Sequence, residues 1–131
     1  MTVARLLVVI VGVTLPYVMR IPGMAVYGVR WFTSYFDKAT LSDILFVGLF
    51  DAACWGSILL ATFTYRHPRS VWILALFGFA LPALGHATLD LLHGDGQAGM
   101  ARVVFPILSL PLVFVGWLVG LVFDRRVFKD A

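Results

Sequence analysis

The chain has 131 residues, of which 61% are hydrophobic and 13% are charged, and its formal net charge is +3. A soluble domain has roughly 45–50% apolar and about 25% charged residues, so a soluble fold of this length could not bury so much apolar surface. The basic residues lie in short flanks between apolar runs and form no stripe, which excludes nucleic acid as a partner. The composition predicts an integral membrane protein with a single domain over residues 1–131.

Four stretches of the chain are long and apolar enough, or nearly so, to cross a bilayer as helices, which takes about 20 residues. We predict spanning helices over residues 5–28, 43–65, 70–93 and 102–124. Apolar residues run continuously in these stretches and do not alternate, so no strand pattern competes. The predicted fold class is an all-α membrane protein, a four-transmembrane-helix bundle.

The first connection, roughly residues 21–42, mixes aromatic with charged residues, among them Trp31, Tyr35 and Asp37. Such a mixture is typical of the headgroup region of a membrane, and it favours a short interfacial helix in an extracytoplasmic connection. The alternative is a lid that closes over a site beneath it.

Basic residues in the short flanks predict the orientation of the helices. Six lie at the N-terminus, in the second connection or at the C-terminus, which share one side: Arg5, Arg66, Arg69, Arg125, Arg126 and Lys129. Four lie on the opposite side: Arg20, Arg30, Lys38 and Arg102. We therefore expect both termini in the cytoplasm and the protein in a plasma membrane, the inner membrane of a bacterium.

Small residues recur every four positions in two of the predicted helices. Gly48, Ala52 and Gly56 do so in the second helix, and Gly116 and Gly120 in the fourth. This spacing lets two helices approach closely in lipid, so it predicts two packing faces. The same faces would also suit contacts with a partner protein.

Ionisable residues gather toward one side of the predicted bundle. On insertion scales such a side chain inside the membrane costs at least ~2.5–3.5 kcal/mol, so it needs a partner or a purpose. Asp51 lies in the second helix, His86 and Asp90 lie in the third, and Arg20 and Arg102 flank the first and the fourth. Because neighbouring helices run antiparallel, we expect these residues at similar depths, in the outer half of the bundle.

Three interpretations of this cluster stay open. In the first, Asp51 pairs internally with His86 or an arginine. In the second, a pocket open to the outside binds a lipid headgroup, small ligand, ion or protein, with Asp51 and His86 as its polar floor and Trp55 as an apolar wall. In the third, His86, Asp90 and His93 share one helical face and hold a metal ion. The candidate ligand-binding residues are Asp51, Trp55, His86, Asp90, Arg20 and Arg102.

The sequence favours a protein that acts by binding, as an accessory subunit of a membrane complex or as an immunity factor, because it contains no recognisable catalytic set. One alternative is an oligomeric transporter or channel for a small ligand or ion. Another is a lipid-modifying enzyme with Asp51 and His86 as its acid and base. We expect membrane lipids and either a protein partner or a second copy as partners, and no cofactor beyond a bound lipid.

Overall fold

A computed structural model describes residues 2–37, 39–92 and 98–129, and for Ala98 only the backbone. All regular structure in these ranges is helical. The helices are α1 (Val3–Val18), α2 (Ile21–Tyr27), α3 (Arg30–Thr33), α4 (Leu41–Thr62), α5 (Pro68–Thr88) and α6 (Ala98–Val122), and α6 continues into a π-helical turn, Phe123–Val127.

Four helical spans among the described residues are long and apolar enough to cross a membrane: Val3–Tyr27, Leu41–Thr62, Pro68–Thr88 and Gly99–Val127. They confirm the predicted all-α bundle of four spanning helices. The third span ends earlier than predicted, at Thr88, because Leu89 has an extended backbone with φ −65° and ψ 117°.

The spans form a bundle in which α1 and α6 lie at opposite corners, and α4 and α5 each pack against both. α5 is the most buried of the four spans. The core between the helices includes Val8, Cys54, Ile58, Leu74, Phe79 and Val113. Cys54 is buried there as a free thiol. We call the two ends of the bundle the Arg20 end, which also carries His86, and the Asp124 end, which also carries Thr62.

The two predicted small-residue faces have different outcomes. On α6, a Cβ added at Gly116 or Gly120 would overlap Phe77 or Tyr65, so this face packs closely as predicted. On α4, no atom lies within 4 Å of a Cβ added at Gly48 or at Gly56. The prediction that this α4 face packs inside the bundle is therefore wrong.

The first half of α4 extends past the end of α5. Residues 41–50 include no buried side chain. Asp51 lies about 15 Å along α4 at 1.5 Å per residue, yet it lies beside His86, which is close to the last residue of α5. Because α5 ends at this depth, the preceding turns of α4 have no α5 surface to pack against.

The first connection folds over the end of α5. α3 is a single turn of four residues, and the side chains of Trp31 and Tyr35 are 3% and 1% exposed. These aromatic rings fill the space that α5 leaves by ending at Thr88. The first connection thus covers the end of α5, whereas both a lid function and a position of α3 at the membrane surface stay predictions.

Candidate functional site

Arg20 organises the Arg20 end of the bundle. It lies between α1 and α2, and its side chain is completely buried. Its guanidinium donates to the carbonyl of Trp31 through Nε (3.0 Å) and Nη2 (2.7 Å) and to Ser34 Oγ (3.1 Å). Nη1 donates to the carbonyls of His86 (3.1 Å) and Leu89. The side chain thus joins the first connection to the end of α5.

These contacts answer a requirement of any helix end. The last carbonyls of a helix have no partner within it, and the C-terminus carries partial negative charge. A buried cation, which is shielded from water, suits this position. The guanidinium also lies 4.1 Å from the ring centre of Trp31 and 4.4 Å from that of Tyr35. Arg20 is therefore satisfied within the protein by carbonyl, hydroxyl and aromatic groups.

A chain of three side chains runs from the first connection to α4. Tyr35 Oη lies 2.7 Å from His86 Nδ1, and His86 Nε2 lies 3.8 Å from Asp51 Oδ1. Burial raises the pKa of Tyr35 to about 12, so the phenol keeps its proton at neutral pH. The hydroxyl can then donate to Nδ1, which leaves the proton of a neutral imidazole on Nε2, facing Asp51. The distance to Asp51 is too long for a direct hydrogen bond.

Asp51 separates two spaces of very different size. Toward His86 lies a cavity of about 10 Å³, roughly the room that one water molecule needs. Away from His86 lies a groove of about 420 Å³ between α1 and α4. Its walls are mainly apolar: Gly12, Val13, Pro16 and Tyr17 of α1, and Ile44, Leu45, Gly48, Leu49, Ala52 and Trp55 of α4. Asp51 is the acidic residue in this wall, and its side chain is 17% exposed.

The predicted pair of Asp51 and His86 is thus brought together, and Trp55 lines both spaces beside Asp51. Arg102 reaches the same end but contacts the first connection. Its guanidinium lies 4.1 Å from the ring centre of Tyr35, and Nη1 lies 3.5 Å from the carbonyl oxygen of Tyr35. Arg102 does not line the groove.

Asp90 does not share a helical face with His86, contrary to the prediction, because α5 ends at Thr88. Its Oδ1 accepts a hydrogen bond from the backbone N–H of Leu92 at 2.9 Å. His93, the third predicted metal ligand, lies outside the described residues. Within the described ranges, no group of three His, Cys, Asp or Glu side chains is placed to hold a metal ion.

Two features of this end were missed by reasoning from sequence. Tyr35 and Trp31 were assigned to the membrane interface, yet Tyr35 is the hydrogen-bond partner of His86 and Trp31 supplies a carbonyl to Arg20. A signal was available in the sequence. His86 lies near the end of a spanning helix, and the first connection at the same end is rich in aromatic residues. A buried imidazole needs a hydrogen-bond partner, which a tyrosine hydroxyl can supply.

The Asp124 end contains a second buried charge. Asp124 is 2% exposed, and its carboxylate accepts from the backbone N–H groups of Arg66 (3.0 Å) and His67 (2.9 Å) and from Ser70 Oγ (2.8 Å). His67 Nδ1 lies 3.4 Å from Asp124 Oδ1. The carboxylate therefore caps the N-terminus of α5, where unpaired N–H groups and positive dipole charge favour an anion.

No protein-family model matches the chain, and neither a curated protein nor a solved structure matches it. The function is therefore inferred from the two ends of the bundle and the groove between α1 and α4.

Proposed function

We propose that the protein acts by binding, and that the groove between α1 and α4 takes an amphiphile with a protonated amine from the lipid phase. Asp51 carries this proposal. Its carboxylate is partly exposed in a mainly apolar wall and accepts no hydrogen bond from the described residues. A carboxylate at membrane depth favours a cationic partner, because its charge is poorly solvated there.

The dimensions of the two spaces favour binding over catalysis. An amphiphile in the groove would reach Asp51 but not His86, which is completely buried on the far side of Asp51. A cavity of about 10 Å³ admits no substrate to the histidine. Cys54, a thiol that lines this cavity together with the pair, is buried and accepts a hydrogen bond from Ser109 Oγ at 3.0 Å. Asp51 and His86 are thus poorly arranged as the acid and base of a lipid-modifying enzyme.

Binding of a brominated long-chain alkylamine to the full-length protein in phosphatidylcholine nanodiscs tests the proposal. Bromine quenches tryptophan fluorescence, and the part of the quenching that is lost in Trp55→Phe reports on the groove. We expect Asp51→Asn to weaken binding of the amine about tenfold or more, since a charge-assisted contact contributes roughly 1.5–3 kcal/mol. The brominated alcohol of equal chain length should bind wild type and Asp51→Asn alike.

The matched control is Asp43→Asn, which alters an exposed carboxylate on the same helix. Asp43 belongs to a capping box with Thr40, and asparagine can still accept the hydrogen bond that this cap requires. The control variant should bind the amine as wild type does. Equal affinities for amine and alcohol in wild type, or equal losses in the two variants, would refute the role of Asp51.

A second candidate, an accessory subunit, is favoured by a different observation on α4. The position where Gly56 would carry a Cβ has no neighbouring atom within 4 Å, and the large apolar side chain of Leu60, one turn further along α4, is exposed. Such a face allows a spanning helix of a partner protein, or of a second copy, to approach closely. Gly56 does not line the groove, so Gly56→Leu tests this face separately. Native mass spectrometry after gentle extraction should show a stoichiometric partner on wild type and its loss from Gly56→Leu.

The proposed address is a plasma membrane, the inner membrane of a bacterium, with both termini in the cytoplasm. Six of the basic residues belong to the Asp124 end, and this bias supports the orientation. In Cys54→Ser protein, a cysteine introduced as Lys129→Cys should resist a membrane-impermeant maleimide in intact cells, whereas Arg30→Cys should react. The reverse pattern would invert the topology.

A further inference from the structure

The Asp124 end carries a concentration of positive charge. Six basic residues belong to it: Arg5, Arg66, Arg69, Arg125, Arg126 and Lys129. The carboxylate described there, Asp124, is buried and engaged with the N-terminus of α5. Within the described residues, the side chains of Arg66, Arg125, Arg126 and Lys129 form no hydrogen bond or ion pair. These four cations therefore have no anionic partner among the described residues.

Two adjoining grooves meet at Arg125. One is polar, has a volume of about 450 Å³ and is lined by Arg66, His67, Asp124, Arg125 and Lys129. The other has a volume of about 470 Å³ and is lined by Leu118, Leu121, Val122, Arg125 and Arg126. Its aliphatic side chains lie on α6, one to two turns before the two arginines. Cationic and apolar surfaces thus follow each other in the order of a phospholipid's headgroup and acyl chain.

The backbone at this point departs from the α-helix. Residues 123–127 form a π-helical turn, closed by a hydrogen bond from Phe128 N to Phe123 O at 2.9 Å. Single π-helical turns occur frequently at functional sites. Here the wider turn contains both Asp124, which faces inward to α5, and Arg125 and Arg126, which are exposed. One π-helical turn therefore holds both the buried capping carboxylate of Asp124 and the exposed cations of Arg125 and Arg126.

We propose that the Asp124 end binds an anionic phospholipid of the surrounding leaflet. Arg125, with Arg66 and Lys129, receives the phosphate, and one acyl chain lies along Leu118, Leu121 and Val122. Arginine suits this role because its planar guanidinium can donate two parallel hydrogen bonds to a phosphate group. Basic pockets beside spanning helices are suited to acidic lipid headgroups. This proposal is independent of the groove between α1 and α4.

Native mass spectrometry of the full-length protein with dioleoyl phosphatidylglycerol tests the site, with dioleoyl phosphatidylcholine as the zwitterionic comparison. We expect the first bound phosphatidylglycerol to have at least a tenfold higher affinity than phosphatidylcholine. Arg125→Gln should reduce that affinity about fivefold or more, the contribution expected of one basic residue near an anionic membrane surface. Arg125→Lys should fall between wild type and Arg125→Gln.

The control variant is Arg30→Gln, which removes an exposed cation in α3, at the Arg20 end of the bundle. It should leave phosphatidylglycerol affinity unchanged. Circular dichroism melting of each variant separates loss of binding from loss of fold: Arg125→Lys that is folded and binds no better than Arg125→Gln would refute the charge-based site.

Two further measurements distinguish a lipid from a soluble anion. Dihexanoyl phosphatidylglycerol, which has the same headgroup and short chains, should bind at least tenfold more weakly than the dioleoyl lipid. Inorganic phosphate at millimolar concentration should not displace the bound lipid. Equal binding of the short-chain lipid, or displacement by phosphate, would make this a free-anion site and overturn the proposal, as would equal affinities for the two dioleoyl lipids.

Discussion

At its N-terminus α5 is capped by Asp124, and at its C-terminus by Arg20. Each residue is buried and comes from another part of the chain, and each has the sign that the helix dipole favours at that position. α5 is also the most buried span of the bundle. Both ends of α5 are therefore capped by residues that are distant in sequence, and not by neighbouring side chains.

The two ends differ in what remains unpaired. At the Asp124 end, His67 Nδ1 is the described buried side-chain atom without a hydrogen bond, and it faces Asp124 at 3.4 Å. At the Arg20 end, His86 Nε2, Trp31 Nε1 and Arg102 Nε are buried without a hydrogen-bond partner among the described residues. Native proteins leave few such groups, and each calls for an explanation. Among the described residues, the Arg20 end thus has three buried side-chain nitrogen atoms without a hydrogen-bond partner, whereas the Asp124 end has one.

Among variants at the two ends of α5, we expect Arg20→Leu to cause the largest loss of stability. The change removes the side-chain donor to the carbonyls of His86 and Leu89 and leaves the carbonyl of Trp31 with Ser34 Oγ alone. We expect a loss of roughly 3 kcal/mol or more in the free energy of unfolding, because several buried acceptors lose partners at once. Reversible unfolding by dodecyl sulfate in mixed micelles measures it. Arg20→Lys should lose less, since it retains a cation, and a stability of Arg20→Leu equal to wild type would contradict the role assigned to Arg20.

Asp124→Ala should have a smaller but clear effect. It removes the acceptor for the N–H groups of Arg66 and His67 and for Ser70 Oγ, and we expect a loss of about 2 kcal/mol in the same unfolding experiment. Asp43→Ala disrupts the exposed capping box of α4 and serves as the comparison. Its loss should be smaller, because water can replace the missing carboxylate there. Equal losses in the two variants would show that burial of Asp124 adds nothing to its cap.

The smallest effect is expected from Tyr35→Phe, with a loss of about 1 kcal/mol in the free energy of unfolding for one hydrogen bond to His86.

A tyrosine at the other end offers a control for the pH dependence: burial raises the pKa of both Tyr35 and Tyr65 to about 12. Because these folded-state values lie above the ordinary value of about 10, the neutral phenols stabilise the fold fully below pH ~10, and that contribution is lost as pH rises toward ~12.

Absorbance at 295 nm follows the ionisation of these phenols. Tyr35→Phe and Tyr65→Phe should each remove one phenol from the late phase of the titration. Only Tyr35→Phe should also change the imidazole NMR signals of His86, since Tyr65 Oη donates to the carbonyl of Trp117 at 3.1 Å instead. Ionisation of Tyr35 near the ordinary pKa of a tyrosine would contradict its burial against His86.

Much of the candidate site could be predicted because depth along a helix follows from residue count. Counting turns from the predicted ends of two antiparallel helices brought Asp51 and His86 to one level, and the structure places them 3.8 Å apart. The partner of His86 on the other side could not be found in this way. Tyr35 lies in a connection whose path depends on where α5 ends, and local sequence does not encode that end: Leu89 is as apolar as the helix before it.

The sequence by itself determined the number, type and approximate limits of the spanning helices. Long apolar runs have one stable solution in a bilayer, since a helix satisfies its own backbone. Only the tertiary structure decided which charges cap α5, that Gly116 and Gly120 of α6 pack inside the bundle while Gly48 and Gly56 of α4 do not, and that Asp51 faces a groove. The physical reason is that a spanning helix can rotate about its axis, or shift along it, without changing its hydropathy. The rotation and the shift of each helix are fixed by contacts between residues more than fifty positions apart, such as His67 with Asp124.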